Sequence, residues 1–365
     1  MPRNLYCVIM AGGGANHFWP LTRENLPQHF IKGRRVYHDS FLRGTFNRFA
    51  AFIPKENILV VTLAKYALLI RKYLPELPPE NIIEEPFGRK TAACIALAAC
   101  KIRERDPEAI MIATPCDQLI SDADHFVASI RKAVDHVEAA PVLMTLGILP
   151  SGPKTDYGYI QIYGGREARN SGEPMPVKTF TEKPDAALAE VFYASGEFFW
   201  NSGIFVWRNE TILSEIARYV PSLRSLIEGW PDVSGTDREE AFLARAYADC
   251  EKVSVDYAVM EKTDSAWLCP ATFDWADISD WESLYNTFAE KDAGGNVVNV
   301  DASYLRDCGG NLILSSDNKK LMAVKGLKNF MVVDTGDVLL ICPRDDRDYH
   351  EFISGLALPG YEDYR

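Results

Sequence analysis

The chain has no long apolar run. A membrane helix needs about 20 consecutive apolar residues, whereas candidates such as Ile110–Thr114 and Val142–Leu146 have only strand length. No extended apolar segment precedes a small-residue cleavage site near Met1, so no secretory signal is expected and the protein reads as cytoplasmic. None of the eight cysteines forms a C-x-x-C pair. That spacing suggests neither a zinc site nor a thioredoxin-type site, and the thiols read as reduced, small apolar residues. The six histidines show no H-x-x-x-H spacing, so zinc has no obvious ligand set. Positive charge is also scarce. Lys and Arg total 39 against 51 Asp and Glu, a net charge of −12. A field of that sign repels nucleic-acid backbones. It leaves room for a small phosphorylated ligand held by local cations or a metal.

What is present is an alternation of strands and helices. With 365 residues the chain makes one large domain or two. Leu5–Met10 and Ile58–Thr62 read as strands, Lys65–Tyr73 and Thr91–Glu104 as helices, and Ala109–Ala113 as a buried strand. Asp124–Glu138 reads as a helix and Pro141–Leu146 as a strand. Such alternation predicts β-α-β units and a sheet covered on both faces. Ligands then bind at the carboxyl ends of the strands, where Gly12-Gly13-Gly14 and Asp117 fall. Farther on, Tyr157–Ile162, Val177–Thr181 and Trp200–Trp207 read as strands, and Ala186–Ser195 as a helix. Beyond Gly294-Gly295 come short apolar runs separated by Gly, Asp and Asn. They predict a small all-β appendage, either coiled rungs or a compact sheet. The expected boundary divides residues 1–292 from 293–365.

The glycine run follows a strand, so it is a candidate phosphate cradle and equally a plain tight turn. It is neither a Walker A loop nor G-x-G-x-x-G. The residues after it carry more. Ala11–Phe30 reads AGGGANHFWPLTRENLPQHF. This resembles the signature of sugar-1-phosphate nucleotidyltransferases, and most closely that of the mannose-1-phosphate guanylyltransferase family, roughly GGxGxRLWPLSRxxxPKQF. Further blocks follow in order. Glu85–Ala92 resembles EPxGRNTA, Pro115–Gln118 resembles PSDH, and Asp156–Ile160 resembles TxYGYI. Phe180–Pro184 resembles FxEKP and Trp200–Phe205 matches WNSGIF. Ser254–Lys262 resembles SIDYAVMEK and Phe273–Trp281 resembles FxWxDVGSW.

The resemblance implies a Rossmann-like α/β nucleotidyltransferase domain with a mixed, mostly parallel sheet, and a small C-terminal β domain of β-helix type. It implies transfer of GMP from GTP to mannose 1-phosphate, releasing pyrophosphate. A sugar phosphate is already an oxyanion, so the protein must align two anions and neutralise their shared charge. Implied roles are Asp117, Lys183 and Asp277 in catalysis, with Asp117 and Asp277 carrying Mg²⁺. Hard oxygen ligands suit that ion, although Asp117 reads otherwise as a helix N-cap and Asp277 as a loop acid. Gly12, Gly13, Gly14, Arg23 and Arg89 are implied on the nucleotide side; Gly158, Glu182 and Asn201 on the sugar side. A homodimer is the implied assembly.

The chain departs from the pattern mainly on the nucleotide side. Ala15 replaces a loop glycine, His17 an arginine, Gln28 a lysine and Lys90 an asparagine. Losing one well-placed transition-state donor lowers the rate by about 10²–10³. Arg23, Lys32, Arg34, Arg35 and Lys90 are candidates to compensate. Three readings therefore stand: an active guanylyltransferase, a catalytically impaired sugar-nucleotide sensor or regulatory subunit, and a related enzyme using another nucleotide or sugar phosphate.

Overall fold

The computed structural model describes residues 1–14, 17–31, 39–288, 290–316, 320–346 and 348–364. Ala15, Lys32, Arg34 and Arg35, singled out above, lie outside the described residues. The chain forms two compact units. The first comprises Met1–Gly12, Phe46–Cys116 and Ile120–Trp275; the second comprises Gly13–Thr45, Asp117–Leu119 and Ala276–Arg365. The expected boundary at residue 292 falls inside the second unit.

The first unit is built on a nine-stranded sheet. Its strands are β1 Leu5–Met10, β2 Ile58–Leu63, β3 Ile82–Glu85, β4 Ile110–Pro115, β6 Leu143–Ile148, β7 Tyr159–Ile162, β8 Met175–Thr181, β9 Phe198–Arg208 and β10 Ala266–Pro270. The strand β5, Gln118–Leu119, belongs to the second unit. The order is β3-β2-β1-β4-β9-β6-β10-β8-β7, with β7 also paired to β9. Parallel pairing joins β3, β2, β1 and β4, and joins β6 to β10. β8 and β9 run against the other seven strands, which makes the sheet mixed. β1 is apolar throughout and almost wholly buried, as a strand covered on both faces must be.

Small residues let a helix lie close on this sheet. Lys90–Arg105 is alanine-rich, and Ala92 to Cys100 are all buried. Alanine also favours the helix intrinsically. Caps set other boundaries. Asp185 accepts the Leu188 N–H at 2.8 Å to start Ala186–Ser195, and Gly196 ends it at φ 67°.

The second unit takes its core from scattered segments. Phe18, Trp19, Phe41, Trp281, Leu312 and Met331 belong to one buried cluster. Phe18 packs edge-on against Trp281 at 5.3 Å. The Trp19 carbonyl accepts the Tyr349 hydroxyl at 2.6 Å, and the Trp19 indole donates to the Tyr364 carbonyl. The residues after the glycine run are thereby tied to the C-terminal segment. The remaining strands are β11 Ala276–Asp277, β12 Val297–Asn299, β13 Ala302–Arg306, β14 Leu312–Ser315, β15 Leu321–Lys325, β16 Phe330–Asp334 and β17 Leu339–Pro343. β12, β13 and β14 each pair in parallel with the strand two positions on. β17 pairs antiparallel with its predecessor β16. A buried asparagine pair holds the turns. Asn296 Oδ1 accepts the Asn311 amide at 2.8 Å, and Asn311 Oδ1 accepts the Phe330 N–H at 2.9 Å.

Candidate active site

The expected sugar-side residues come together within the first unit. Register does this: Tyr159 at the start of β7 pairs with Thr181 of β8 and with Trp200 of β9. Gly158, Glu182 and Asn201 each lie one residue beyond those partners. They form one cluster. A side chain at Gly158 would put its Cβ 2.6 Å from Glu182 Oε2 and 3.3 Å from the Asn201 Cβ. The glycine therefore makes room for the Glu182 carboxylate.

Asn201 is also tied down by its own chain. Its Oδ1 accepts Thr145 Oγ1–H at 3.0 Å and the Gly203 N–H at 3.2 Å; its Nδ2 donates to Asp256 Oδ1 at 2.8 Å. Asp256 opens a π-helix, Asp256–Met260, in which the Glu261 N–H reaches back to the Asp256 carbonyl. Such wide turns recur at functional sites. The Glu182 N–H in turn donates to Glu261 at 3.3 Å. Asp256 and Glu261 were passed over as site residues in the sequence. The SIDYAVMEK-like block contained both, but only the fold brings them to Glu182.

Burial raises the pKa of each of the three carboxylates. Burial pushes Glu182 up to about 7, and Asp256 and Glu261 add to the rise. Lys183 and Lys90 oppose it. Asp256 is raised by burial and held back by the Asn201 bond. Lys183 follows Glu182 at φ 46°, a left-handed conformation that few lysines adopt.

The two expected metal aspartates come together in the second unit. β5 pairs antiparallel with β11, and Asp277 stands opposite Gln118, one residue from Asp117. Asp280 and Ser283 form a capping box on the helix Trp281–Thr287 and so fix the chain just after β11. Asp117 Oδ2 accepts the Gln28 amide at 2.7 Å. Burial pushes the Asp117 carboxyl above its usual range, while the Gln28 bond and the neighbouring His17 pull it down. The other end of Gln28 is unanswered: its Oε1 is buried with no partner among the described residues. That acceptor lies beside the Asp117 carboxylate, one residue along the chain from the partner of Asp277 in the register. Carboxylate and amide oxygens are the donor type that a hard divalent cation takes.

The remaining nucleotide-side residues divide. Gly12 lies against Glu85, whose Oε2 is 3.0 Å from a Cβ built there, whereas side chains built at Gly13 and Gly14 would meet open space. Arg23 is occupied by Asp337 at 3.2 Å and by the Pro20 carbonyl. Arg89 donates to the Tyr247 carbonyl at 2.6 Å and to that of Ala248 at 3.0 Å, at the end of the helix Glu239–Asp249. The structure thus gives both guanidinium groups bracing contacts with the chain. Among the described residues no helix is long and apolar enough to cross a membrane.

Comparison with known proteins agrees with this geometry. The nucleotidyl transferase family model matches residues 6–293. A mannose-1-phosphate guanylyltransferase of Klebsiella pneumoniae is 35% identical over 93% of this chain and 70% of its own length. One from Escherichia coli K12 is 34% identical over 99% and 75%. Among solved structures, one described as a mannose-1-phosphate geranyltransferase from Thermus thermophilus superposes with a TM-score of 0.84 at 26% identity. It covers 97% of this chain and all of that one. A chain matched by the family model over most of its length, with such relatives across nearly all of it, belongs to the nucleotidyl transferase family and is an enzyme of the group that includes the mannose-1-phosphate guanylyltransferases.

Proposed function

We propose that the chain transfers GMP from GTP to mannose 1-phosphate, giving GDP-mannose and pyrophosphate. The observation that carries this is the Glu182–Lys183 step, a hydroxyl acceptor beside a phosphate cation, placed where β7, β8 and β9 meet. Glu182 and Asp256 accept hydrogen bonds from sugar hydroxyls, Asn201 orients Asp256, and Lys183 neutralises the sugar phosphate. That phosphate attacks the α-phosphorus in line, and the bond to pyrophosphate breaks. No proton transfer is required, because the nucleophile is already ionised. Gly12, Gly13 and Gly14 offer backbone donors to the triphosphate. Asp117 and Asp277 hold a divalent metal, Mg²⁺ by the hardness of the donors, with Gln28 Oε1 in the same cluster. Such an ion, when bound, neutralises charge on the phosphates.

In this reading residues 1–292 are the transfer domain, and the family match ending at residue 293 supports that division. Residues 293–365 are a β-helix-like appendage. Its exposed Leu321, Leu339 and Ile341 support a homodimer through that region. The cytoplasm, where GTP is kept, is the proposed compartment, and neither nucleic acid nor membrane is a partner.

One observation favours a second reading, a sugar-nucleotide sensor with impaired turnover. Asp117 is met by a neutral amide at Gln28, where the resemblance expects a lysine. Specificity for another nucleotide or sugar phosphate is the third. Pyrophosphate release from GTP and mannose 1-phosphate with Mg²⁺ tests all three. Release that falls by about 10³ in Asp117→Ala establishes the transferase. No release from any pair in a panel of nucleotides and sugar phosphates sinks both enzyme readings and leaves the sensor. Release from a different pair alone redirects the specificity.

A further inference from the structure

The loop after the glycine run is short of cations, and Arg23 and Arg89 are both engaged elsewhere. Lys90 is different. It is exposed, and among the described residues no carboxylate lies within ion-pair distance of its ammonium. Its backbone sits at φ 61°. Asparagine tolerates that left-handed region far better than other side chains, and asparagine is what the EPxGRNTA resemblance expects there. Lysine keeps the backbone path and adds a charge.

Neighbouring contacts say where that charge falls. Thr91 Oγ1 accepts the Val255 N–H at 2.9 Å, and the Ala92 N–H donates to the Val253 carbonyl at 3.3 Å. These bonds fix the start of the helix beside the segment leading into Asp256, which Asn201 joins to the sugar-side cluster. The Glu182 carboxylate feels two lysines, Lys183 and Lys90. Both hold left-handed backbones. Strained residues persist where their surroundings over-determine them, which happens often at ligand clamps.

We propose that Lys90 and Lys183 together bind a phosphate oxyanion of the substrates, with Lys90 supplying a positive charge where the family resemblance expects a neutral side chain. This rests on the transfer reaction proposed above. Both substrates carry such a group, so the test must tell them apart.

Lys90→Asn restores the expected residue and relaxes the backbone, so it should fold; Lys90→Arg keeps the charge. Pyrophosphate release gives a KM for each substrate, and calorimetric titration with mannose 1-phosphate alone and GTP alone gives each Kd. Lys90→Asn should weaken one substrate by about 10- to 100-fold, the range of a charge-assisted hydrogen bond. Lys90→Arg should stay within about threefold, and the melting temperature of Lys90→Asn should be unchanged or raised. A loss confined to mannose 1-phosphate supports a sugar phosphate shared by the two lysines; a loss confined to GTP overturns the pairing of Lys90 with Lys183. Values for Lys90→Asn within about twofold of the native protein on both substrates overturn the proposal. Should the native protein release no pyrophosphate from any pair, the transfer reading falls while the titrations still decide Lys90. Weaker binding of mannose 1-phosphate in Lys90→Asn keeps it, and unchanged or absent binding removes it.

Discussion

Glu182 in the first unit and Asp117 in the second are both carboxylates pushed above their ordinary range by burial, and the protein answers them differently. Glu182 has lysines for neighbours and two further acids that compete for them. Asp117 has a neutral amide, the influence of His17, and beside it a buried oxygen with no partner among the described residues. The first cluster carries its own counter-charge. Among the described residues, no lysine or arginine forms an ion pair with Asp117. On the function proposed above, the comparison would separate two ways of holding phosphate: fixed cations of the chain, and a metal ion.

The strongest way to break this contrast is to remove the fixed cation. Lys183→Ala should lower kcat/KM for mannose 1-phosphate by about 10²–10³ and leave the KM for GTP within a few-fold. Equal losses on both substrates would show that Lys183 is not confined to the sugar phosphate. A smaller effect, of opposite sign, is expected at the other cluster. His17→Arg combined with Gln28→Lys returns two charges to the loop. Release should rise by about 10-fold, less than two independent donors would give, because a lysine at 28 competes with the metal for Asp117. A matching rise in the Mg²⁺ concentration needed for half-maximal rate would sharpen the point. No change in either quantity would show that the chain already compensates for the loop.

Elements set by local signals were legible in the sequence. β1 and the helix Ala186–Ser195 follow from an apolar run and from an N-cap followed by a C-terminal glycine, and both have the expected bounds. β3 and β10 were not seen; one is four residues ending in two glutamates, the other ends in proline. Site residues divide by the same rule. Asp117, Asp277, Glu182 and Lys183 lie in motifs, so the resemblance pointed to them. Asp256 needed a π-helix, for which no side-chain period gives a signal. The bracing contacts of Arg23 and Arg89 needed partners 314 and 158 residues away. Local reading places a charged residue in the chain but leaves its partner unassigned.

Glu85 extends the comparison to a carboxylate with neither lysine nor metal. It is 4% exposed, lies against Gly12, and accepts the Tyr247 hydroxyl at 3.1 Å. Burial pushes it up to about 7 from 4.5. The sign follows from proton counting. Between those values the folded chain holds a proton that the unfolded chain has released, so stability falls as pH rises through that window. At about 1.4 kcal/mol per pH unit, the loss above pH 7 is at most about 3 kcal/mol. Glu85→Gln keeps an acceptor for Tyr247 and removes the ionisation. It should melt with the native protein at pH 5 and several degrees above it at pH 8, by differential scanning calorimetry. Activity at pH 7 should change little. Parallel melting curves across that range would mean that Glu85 ionises without penalty. A buried carboxylate here would then need no cation at all, and the shortage of positive charge around Asp117 would no longer argue for a metal.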